Sequence, residues 1–234
     1  MRKTLTCTVA LVPVAAAGFV LASAGSADAP GTPVFSNPGQ IDNRYLPLAA
    51  HRRCDFRGEG KDGTKTRSVL ARLTSTRRFT VGAQTVDATI VSDKAYEDGK
   101  HVETALDYFA QADDGTVYYL GEHVDNIRNG KVVDHSGTWL YGKDTDVLGV
   151  AMLPHPAIDE RYRLEDVPGI TTESDRVEET GARAKAGRTL YTDVIRTSEF
   201  IQPEGEVEYK LYAPGVGTIV EYDPEGRSEL VGCR

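Results

Sequence analysis

The chain has 234 residues, with 27 Lys and Arg against 35 Asp and Glu, and its formal net charge is −8. A negative field repels phosphates and anionic headgroups, so the sequence predicts neither nucleic acid nor an anionic membrane as a partner. The length suits a single β domain with a sizeable core.

Residues 1–24 have the parts of a signal peptide. Arg2 and Lys3 precede an apolar run over residues 5–22, and Ala22-Ser23-Ala24 supplies small residues for cleavage after Ala24. A proline interrupts the run, and no later segment approaches the roughly 20 apolar residues that span a bilayer. We therefore expect a secreted, extracellular protein without a membrane anchor in its mature form, with a net charge of −10 once the two basic residues are removed.

Residues 25–52 are predicted to form an extended N-terminal segment. The segment contains Asn37-Pro38 and Leu46-Pro47, and a residue that precedes proline is restricted to extended conformations. Proline also lacks the N–H group that a central strand needs. With Tyr45 and Leu48 as apolar contacts, the segment is expected to pack on a sheet rather than to lie within it.

Residues 53–234 are predicted to form one curved antiparallel β domain. Apolar and polar residues alternate there with period two, and turns that contain Gly separate the runs, as in consecutive hairpins. The clearest turns are Lys61-Asp62-Gly63, Glu97-Asp98-Gly99, Asp113-Asp114-Gly115, Gln202-Pro203-Glu204-Gly205, Ala213-Pro214-Gly215 and Asp223-Pro224-Glu225-Gly226.

The strands and the middle of the domain follow from this pattern. Strands are predicted at residues 53–58, 66–76, 79–92, 101–112, 116–126 and 131–136, and again from 175 to the end of the chain. Ala and Glu in residues 178–185 also favour a short helix there. Residues 137–169 are predicted to be a long connection over one mouth of the sheet. Roughly nine or ten strands must curl, so the predicted fold class is all-β, a single antiparallel meander in a barrel or half-barrel.

Two cysteines, Cys54 and Cys233, are left after cleavage. In an oxidising compartment they are expected to form a disulfide. One starts the first strand and the other lies in the last, so a bridge brings the ends of the meander together and predicts a sealed barrel or half-barrel. The alternative is two unpaired buried thiols.

The hairpin over residues 101–124 carries the candidate catalytic side chains. Glu103 and Asp107 share one face of its first strand. Either hairpin register adds a His or a third carboxylate, which suits acid–base chemistry or a cation. The alternative is a solvated outer face that Arg67, Arg72 or Lys65 neutralises. The candidate catalytic residues are Glu103, Asp107, Glu122 and His123.

The register of this hairpin depends on its turn. A type I turn with a Gly bulge at Asp113-Asp114-Gly115 places Tyr119 and His123 on the face of Asp107. A two-residue turn places Glu122 opposite Asp107 instead. The first register is preferred, because it separates apolar from polar residues better.

Aromatic residues with polar tips suit a pocket for an amphipathic or cyclic ligand. They suit a protein core as well. The candidate ligand-binding residues are Tyr119, Trp139, Tyr141, Tyr209 and Tyr212.

No metal site and no cofactor are predicted. The five histidines include no pair at the spacing of a zinc site, and the mature cysteines form no CxxC motif. Asp144 and Asp146 lack the rest of a calcium ligand set. Residues 58–63 match the spacing of dinucleotide-binding glycines, but no βαβ pattern surrounds them, so they are interpreted as a hairpin turn.

Three segments of the chain resemble those of a group of largely uncharacterised exported bacterial β-proteins. They are residues 41–48, residues 107–111 with 114–122, and residues 209–217. The last segment is also similar to the C-terminal half of periplasmic half-barrels related to lipoprotein carriers. The resemblance implies a curved antiparallel sheet with an apolar concave face, and it bears on fold more than on activity.

The leading hypothesis is a secreted non-catalytic binding protein that holds a small apolar or amphipathic ligand in the concave sheet. It rests on the meander, the aromatic residues and the lack of a complete catalytic signature. The first alternative is an extracellular hydrolase or lyase that uses the carboxylate/His cluster of the 101–124 hairpin. The second is a protein-interaction or inhibitor module, which needs only an exposed patch or edge strand.

Overall fold

The computed structural model describes residues 31–202 and 205–234, and every regular element within them is a β-strand. The signal peptide predicted for residues 1–24, and Pro203 and Glu204 of one predicted turn, lie outside these ranges. The described part contains no helix that is long and apolar enough to cross a membrane. The strands are β1 Arg53–Gly60, β2 Lys65–Val81, β3 Gln84–Glu97, β4 Lys100–Gln111, β5 Val117–Arg128, β6 Lys131–Asp134, β7 Trp139–Leu140, β8 Gly149–Met152, β9 Arg161–Val167, β10 Thr171–Ala186, β11 Thr189–Gln202, β12 Glu206–Ala213, β13 Gly217–Asp223 and β14 Gly226–Cys233.

All of these strands belong to one antiparallel meander sheet, which confirms the predicted fold class. The strand order is β6-β5-β4-β3-β2-β1-β14-β13-β12-β11-β10-β9, and β7 and β8 pair with β5 beside that path. The hydrogen-bonded ladder ends at β6 and at β9. The sheet is therefore curled but not closed.

Cys54 and Cys233 form the predicted disulfide, with their Cα atoms 4.1 Å apart. They lie directly opposite each other in the ladder between β1 and β14. The first and last strands meet as predicted, but they meet in the middle of the strand order, and both edges of the ladder come from the middle of the chain. The bridge thus joins the two halves of the sheet at its centre, which corrects the expectation that it seals a barrel.

Most predicted turns fall between observed strands, and two local predictions need correction. β2 continues through residues 76–79, where a break was expected, and the chain turns instead at Gly82, which has a φ of 59°. The predicted strand over residues 79–92 is therefore the end of β2, a hairpin turn and the first part of β3. Residues 178–185 lie in β10 and not in a helix, because β11 supplies their backbone partners.

The N-terminal segment packs on the sheet, as its prolines and apolar residues predict. Ile41 is fully buried, and Tyr45 is almost so. The amide Nδ2 of Asn43 donates hydrogen bonds to the carbonyl oxygens of Gly115 and Leu153, both at 3.0 Å. These contacts tie the segment to two separate loops of the sheet.

The predicted connection over residues 137–169 contains three short strands. β7 and β8 both pair with β5, and β8 also packs against β9. The backbones of β8 and β9 are in direct contact. A Cβ atom built on Gly149 of β8 would lie only 2.0 Å from the carbonyl oxygen of Leu164 in β9, so no side chain fits between them at this point. β8 therefore bridges the two ends of the open ladder.

Candidate functional site

Trp139 marks the place where the two ends of the sheet meet. It pairs with Glu122 of β5, and its indole Nε1 donates a 2.9 Å hydrogen bond to Glu165 of β9. β5 and β9 are ten strand spacings apart in the sheet order, which would be roughly 48 Å in a flat sheet. The sheet therefore curls so that the face carrying Glu122 turns toward that carrying Glu165, and we call this face the inner face.

Carboxylates line the inner face. Burial raises the pKa of each member of this set, and neighbouring charges on facing strands raise several of them further. The charge of Glu165 on β9 raises the pKa of Glu122 on β5, and that of Asp93 on β3 raises the pKa of Glu221 on β13. This acidity contrasts with the apolar concave face that the resemblance implied. The set comprises Asp93, Glu103, Asp107, Glu122, Glu165, Glu173, Asp175, Glu199 and Glu221.

The hairpin of β4 and β5 combines parts of both predicted registers. The backbone N–H of Gly115 donates to the carbonyl of Ala112, and Gly115 has a φ of 91°, as expected for the turn with a Gly bulge. A second bulge at Gly121 then shifts the ladder, so that Asp107 faces Glu122. Gly121 has a φ of 116°, and a Cβ atom there would lie 2.4 Å from the carbonyl oxygen of Trp139. Close approach of β7 therefore requires glycine at this point.

The shift separates His123 from the other candidate catalytic residues. His123 pairs with Leu106, so it lies on the face opposite Asp107, and the prediction that it shares the face of Glu103 and Asp107 was wrong. Glu103, Asp107 and Glu122 do come together on the inner face, where the first two raise the pKa of Glu122.

Two of the expected neutralising bases are engaged elsewhere. Arg67 binds Asp55, and Lys65 binds Glu59, both outside the group of inner-face carboxylates.

Asp107 and Glu122 are half-buried acids whose pKa values are raised to the neutral range or above it. Burial raises the pKa of Asp107 to about 7, although the hydroxyl of Tyr119 donates a 2.9 Å hydrogen bond to it. Burial, followed by the charges of Glu165 and Asp107, raises the pKa of Glu122 to about 9. Two facing carboxyl groups with different pKa values can hold and exchange a proton.

A second group of carboxylates lies deeper, on β10 and β11. Asp175 is directly opposite Glu199, and Glu173 lies on the same face two residues away. One ligand oxygen of each residue lies within 4.8 Å of the others. Their exposed fractions are 8% for Glu173, 4% for Asp175 and 1% for Glu199. We call these three residues the buried acidic cluster.

The buried acidic cluster is only partly compensated. Within the described residues, the atoms Glu173 Oε1 and Asp175 Oδ1 have no hydrogen-bond partner, although Asp175 also interacts with Tyr162 and Glu173 with Glu199. Lys210 Nζ lies 2.6 Å from Glu199 Oε2 and 4.0 Å from Glu208 Oε2. With all three carboxyl groups of the cluster ionised, this one ammonium would leave a formal charge of −2. Burial, followed by the charge of Glu199, raises the pKa of Asp175 well above its usual value. Like charges directly opposite each other destabilise a sheet, so the arrangement favours a bound cation.

Three of the five predicted ligand-binding aromatics lie together. Tyr119, Trp139 and Tyr212 belong to one buried cluster, in which the rings of the first two meet edge to face with centroids 5.3 Å apart. Tyr141 packs against a different apolar cluster, and Tyr209 stacks on a tyrosine of β13. The structure therefore does not gather the five into one pocket, and a binding role for them stays a prediction.

A small apolar cavity lies between the N-terminal segment and the sheet. Its volume is about 60 Å³, and its lining includes Leu46, Leu48, Leu70 and Val91. Pockets for drug-sized ligands measure roughly 300–1,000 Å³. This cavity is too small for such a ligand, whereas a single metal ion needs only the space between its ligand atoms.

The buried acidic cluster was not predicted from sequence. Its local signal is the alternation of Glu173, Asp175 and Val177, which places a fully buried valine on the same face as two carboxylates. That pattern shows a shared face, but it does not show that the face is enclosed.

No family model, no curated protein and no solved structure matches this chain. The resemblance inferred from sequence stays a prediction. The Cys54–Cys233 disulfide bears on location, since disulfides persist in oxidising compartments, and it is consistent with an extracellular or periplasmic protein.

Proposed function

We propose that the protein is an exported, non-catalytic binding protein that holds a divalent cation in the buried acidic cluster. The observation that carries this proposal is the pair of buried oxygens without partners, Glu173 Oε1 and Asp175 Oδ1, beside Glu199. A buried polar atom left without a partner costs about 1–3 kcal/mol, and more when it is charged. Coordination of a cation would remove that cost.

The chemistry of the ligand atoms favours a hard cation such as Ca²⁺. Carboxylate oxygens suit Ca²⁺, Mg²⁺ and Mn²⁺, and Ca²⁺ binds its oxygens at about 2.3–2.6 Å. Oxygens within 4.8 Å of one another can therefore share one ion. A divalent ion also matches the formal charge of −2 on the cluster with Lys210.

This proposal replaces the apolar or amphipathic ligand expected from sequence with a cation, and it departs from the prediction of no metal site. The inner face carries carboxylates, and the apolar cavity of about 60 Å³ is small. Export by the signal peptide of residues 1–24 would place the protein where free Ca²⁺ is abundant. Dissociation constants on the order of 10⁻⁴–10⁻³ M are typical of extracellular calcium modules.

Calorimetric titration of the chelator-treated mature protein with Ca²⁺, Mg²⁺ and Mn²⁺ tests the proposal. We expect saturable binding of at least one ion and a matching rise of the thermal midpoint. Asp175→Asn and Glu199→Gln should abolish both effects, whereas Asp87→Asn, which alters an exposed pair with Arg78, should not. Absence of binding by all three ions, or unchanged binding in both cluster variants, would refute the proposal.

An extracellular hydrolase or lyase is the second candidate, favoured by the facing acids Asp107 and Glu122. Their raised pKa values suit general acid and base roles. Turnover of glycoside or ester substrates that is lost in Glu122→Gln and kept in Asp175→Asn would support this candidate over cation binding. Turnover that survives Glu122→Gln would count against it.

A further inference from the structure

Two histidines and an aspartate meet on the outer side of β5, opposite the inner face. His123 Nε2 lies 3.4 Å from Asp125 Oδ1, and His135 Nδ1 lies 2.9 Å from the same oxygen. The two imidazole rings have centroids 5.1 Å apart. One carboxylate oxygen therefore lies between two imidazole nitrogens, and we call His123, Asp125 and His135 the His–Asp cluster.

The fold brings these residues together from two elements. His123 and Asp125 are two residues apart on β5, so they share a face. His135 follows β6 in the loop that leads to β7, and Thr138 Oγ1 accepts a 2.8 Å hydrogen bond from the backbone N–H of Val124. Hydrogen bonds from Asn126 Nδ2 to Asp134 Oδ1 and to the Ser136 carbonyl hold the same loop against β5.

The distances suit a tetrahedral metal ion. Zinc binds imidazole nitrogen and carboxylate oxygen at about 2.0–2.2 Å, which places neighbouring ligand atoms about 3.3–3.5 Å apart. The separation between His123 Nε2 and Asp125 Oδ1 already has this value, at 3.4 Å. The separation from His135 Nδ1, at 2.9 Å, has to widen by a few tenths of an ångström. His135 Nδ1 also lies 2.9 Å from the carbonyl oxygen of Val124, which can only accept a hydrogen bond, so Nδ1 has to give up its proton and this contact to bind a metal ion. The exposed fractions of 40% for His123 and 57% for His135 let solvent reach both rings.

We propose that the His–Asp cluster is a surface site for a transition-metal cation such as Zn²⁺. Imidazole nitrogens favour zinc and copper over calcium, so this site differs in ligand chemistry from the buried acidic cluster. Three protein ligands leave the fourth tetrahedral position to solvent, as in zinc sites that bind exchangeable ligands. The inference goes beyond the proposed function and does not depend on it.

The pattern of residues explains why sequence analysis does not find this site. His123 and His135 are twelve positions apart. The ligand spacing of a zinc finger or of a helical HxxxH motif is shorter between paired histidines. Here the chain passes through a hairpin between the two residues, so the ligands converge only after β6 has turned back along β5.

Competition for Zn²⁺ against a chromophoric chelator tests the proposal on the chelator-treated mature protein. Saturating Ca²⁺ is present throughout, so that hard-cation sites are occupied. We expect His123→Ala and His135→Ala each to weaken Zn²⁺ affinity about tenfold or more. His155→Ala is the matched control, because His155 is exposed and lies outside the cluster, and it should leave the affinity unchanged.

Two further measurements distinguish coordination by the His–Asp cluster from Zn²⁺ binding elsewhere on the protein. Co²⁺ should give the visible absorption of a tetrahedral site in the wild-type protein and lose it in His135→Ala, while circular dichroism shows that the variant is folded. Asp175→Asn should retain Zn²⁺ binding, so that failure of the proposed calcium site leaves this result intact. Equal Zn²⁺ affinity in the wild type and in both cluster histidine variants would overturn the inference, and Asp125 would then serve only as a hydrogen-bond acceptor for the two rings.

Discussion

Asp175 and Glu199 lie directly opposite each other on β10 and β11, and only 4% and 1% of their surfaces are exposed. Burial raises the pKa of both groups, and the charge of Glu199 raises that of Asp175 further. Lys210 is held against Glu199 by an ion pair of 2.6 Å. The stability of this part of the sheet therefore depends on Lys210, on pH and on any bound cation.

Lys210→Met is expected to destabilise the cation-free protein by about 3–5 kcal/mol, because it leaves Glu199 without its buried partner. Urea unfolding followed by circular dichroism measures this loss. Ca²⁺ should restore more stability to Lys210→Met than to the wild type, since the cluster then carries one more negative charge. Lys143→Met is the control, because Lys143 pairs with Asp144 at the surface and its side chain is 70% exposed, so the loss of this ion pair should change stability little. An equal loss of stability in both variants would contradict the prediction.

The cation-free protein is expected to lose stability as pH rises from about 5 to about 9. Burial raises the folded-state pKa to about 7 for Asp107 and Glu221, and to about 9 for Glu122. A raised folded-state pKa means that the native state binds the proton more tightly than the unfolded chain does. The contribution of such a group to the free energy of unfolding is therefore fully present below the usual pKa of a carboxyl group, and it is lost as pH rises through the folded-state pKa. At about 1.4 kcal/mol per pKa unit, Asp107 alone should account for a loss of about 3 kcal/mol between pH 5 and 7, so the total loss should exceed that value. Urea unfolding at several pH values measures it.

Matched variants identify the groups responsible for this slope. Glu122→Gln should flatten it above neutral pH, whereas Asp87→Asn should not, since Arg78 lowers the pKa of Asp87. Asp55 has the opposite effect on the pH dependence of stability, because the hydrogen bond from Arg53 lowers its pKa. The contribution of Asp55 to the free energy of unfolding is therefore lost only in strong acid. Stability that rises steadily from acid to alkaline pH in the absence of cations would rule out the prediction.

Trp139→Phe is expected to cost about 1–3 kcal/mol, because Glu165 loses the indole N–H that donates to it at 2.9 Å. The same hydrogen bond opposes the effect of burial on the pKa of Glu165, so the variant should also raise that pKa. Circular dichroism is the suitable probe, since Trp139 is the only tryptophan. Glu165→Gln keeps an acceptor oxygen and removes the buried charge, so it should cost less than Trp139→Phe, and the reverse order would count against this account.

Reduction of the Cys54–Cys233 bridge is expected to lower stability by about 5 kcal/mol, because the bridge spans 179 residues and a cross-link over so long a loop restricts the unfolded chain. Below the lowered thermal midpoint, strand content should persist, since the β1–β14 ladder continues for five further residue pairs beyond the bulge. Far-ultraviolet circular dichroism with and without reductant measures both effects. Two reactive thiols in the unreduced, denatured protein would show that the bridge is absent in solution.

Local residue patterns predict most of the strand framework. Alternation of apolar and polar residues marks the strands, and glycines such as Gly63, Gly99 and Gly115 mark turns because they adopt positive φ at no steric cost. Gly82 was missed, since it stands in its turn without the Pro, Asp or Asn that mark most of the others. The pairing of Cys54 with Cys233 follows from the oxidising compartment that the predicted signal peptide implies.

The register of the β4–β5 hairpin lies beyond such patterns. Its bulge at Gly121 is required by the carbonyl of Trp139 on β7, a contact from outside the hairpin. That single extra residue moves Glu122 to the face of Asp107 and moves His123 away from it. A one-residue shift reverses faces because side chains alternate with period two.

By itself the sequence determined most of the strand framework, most of the turns that reverse the chain and which cysteines pair. Only the tertiary structure decided which face is enclosed. The curl brings β8 against β9 and Trp139 against Glu165, and these contacts join segments that no local pattern relates. Solvation depends on enclosure. In the sequence, the alternation of Glu173 and Asp175 is compatible with a solvated surface, whereas in the fold these residues are buried and only partly compensated.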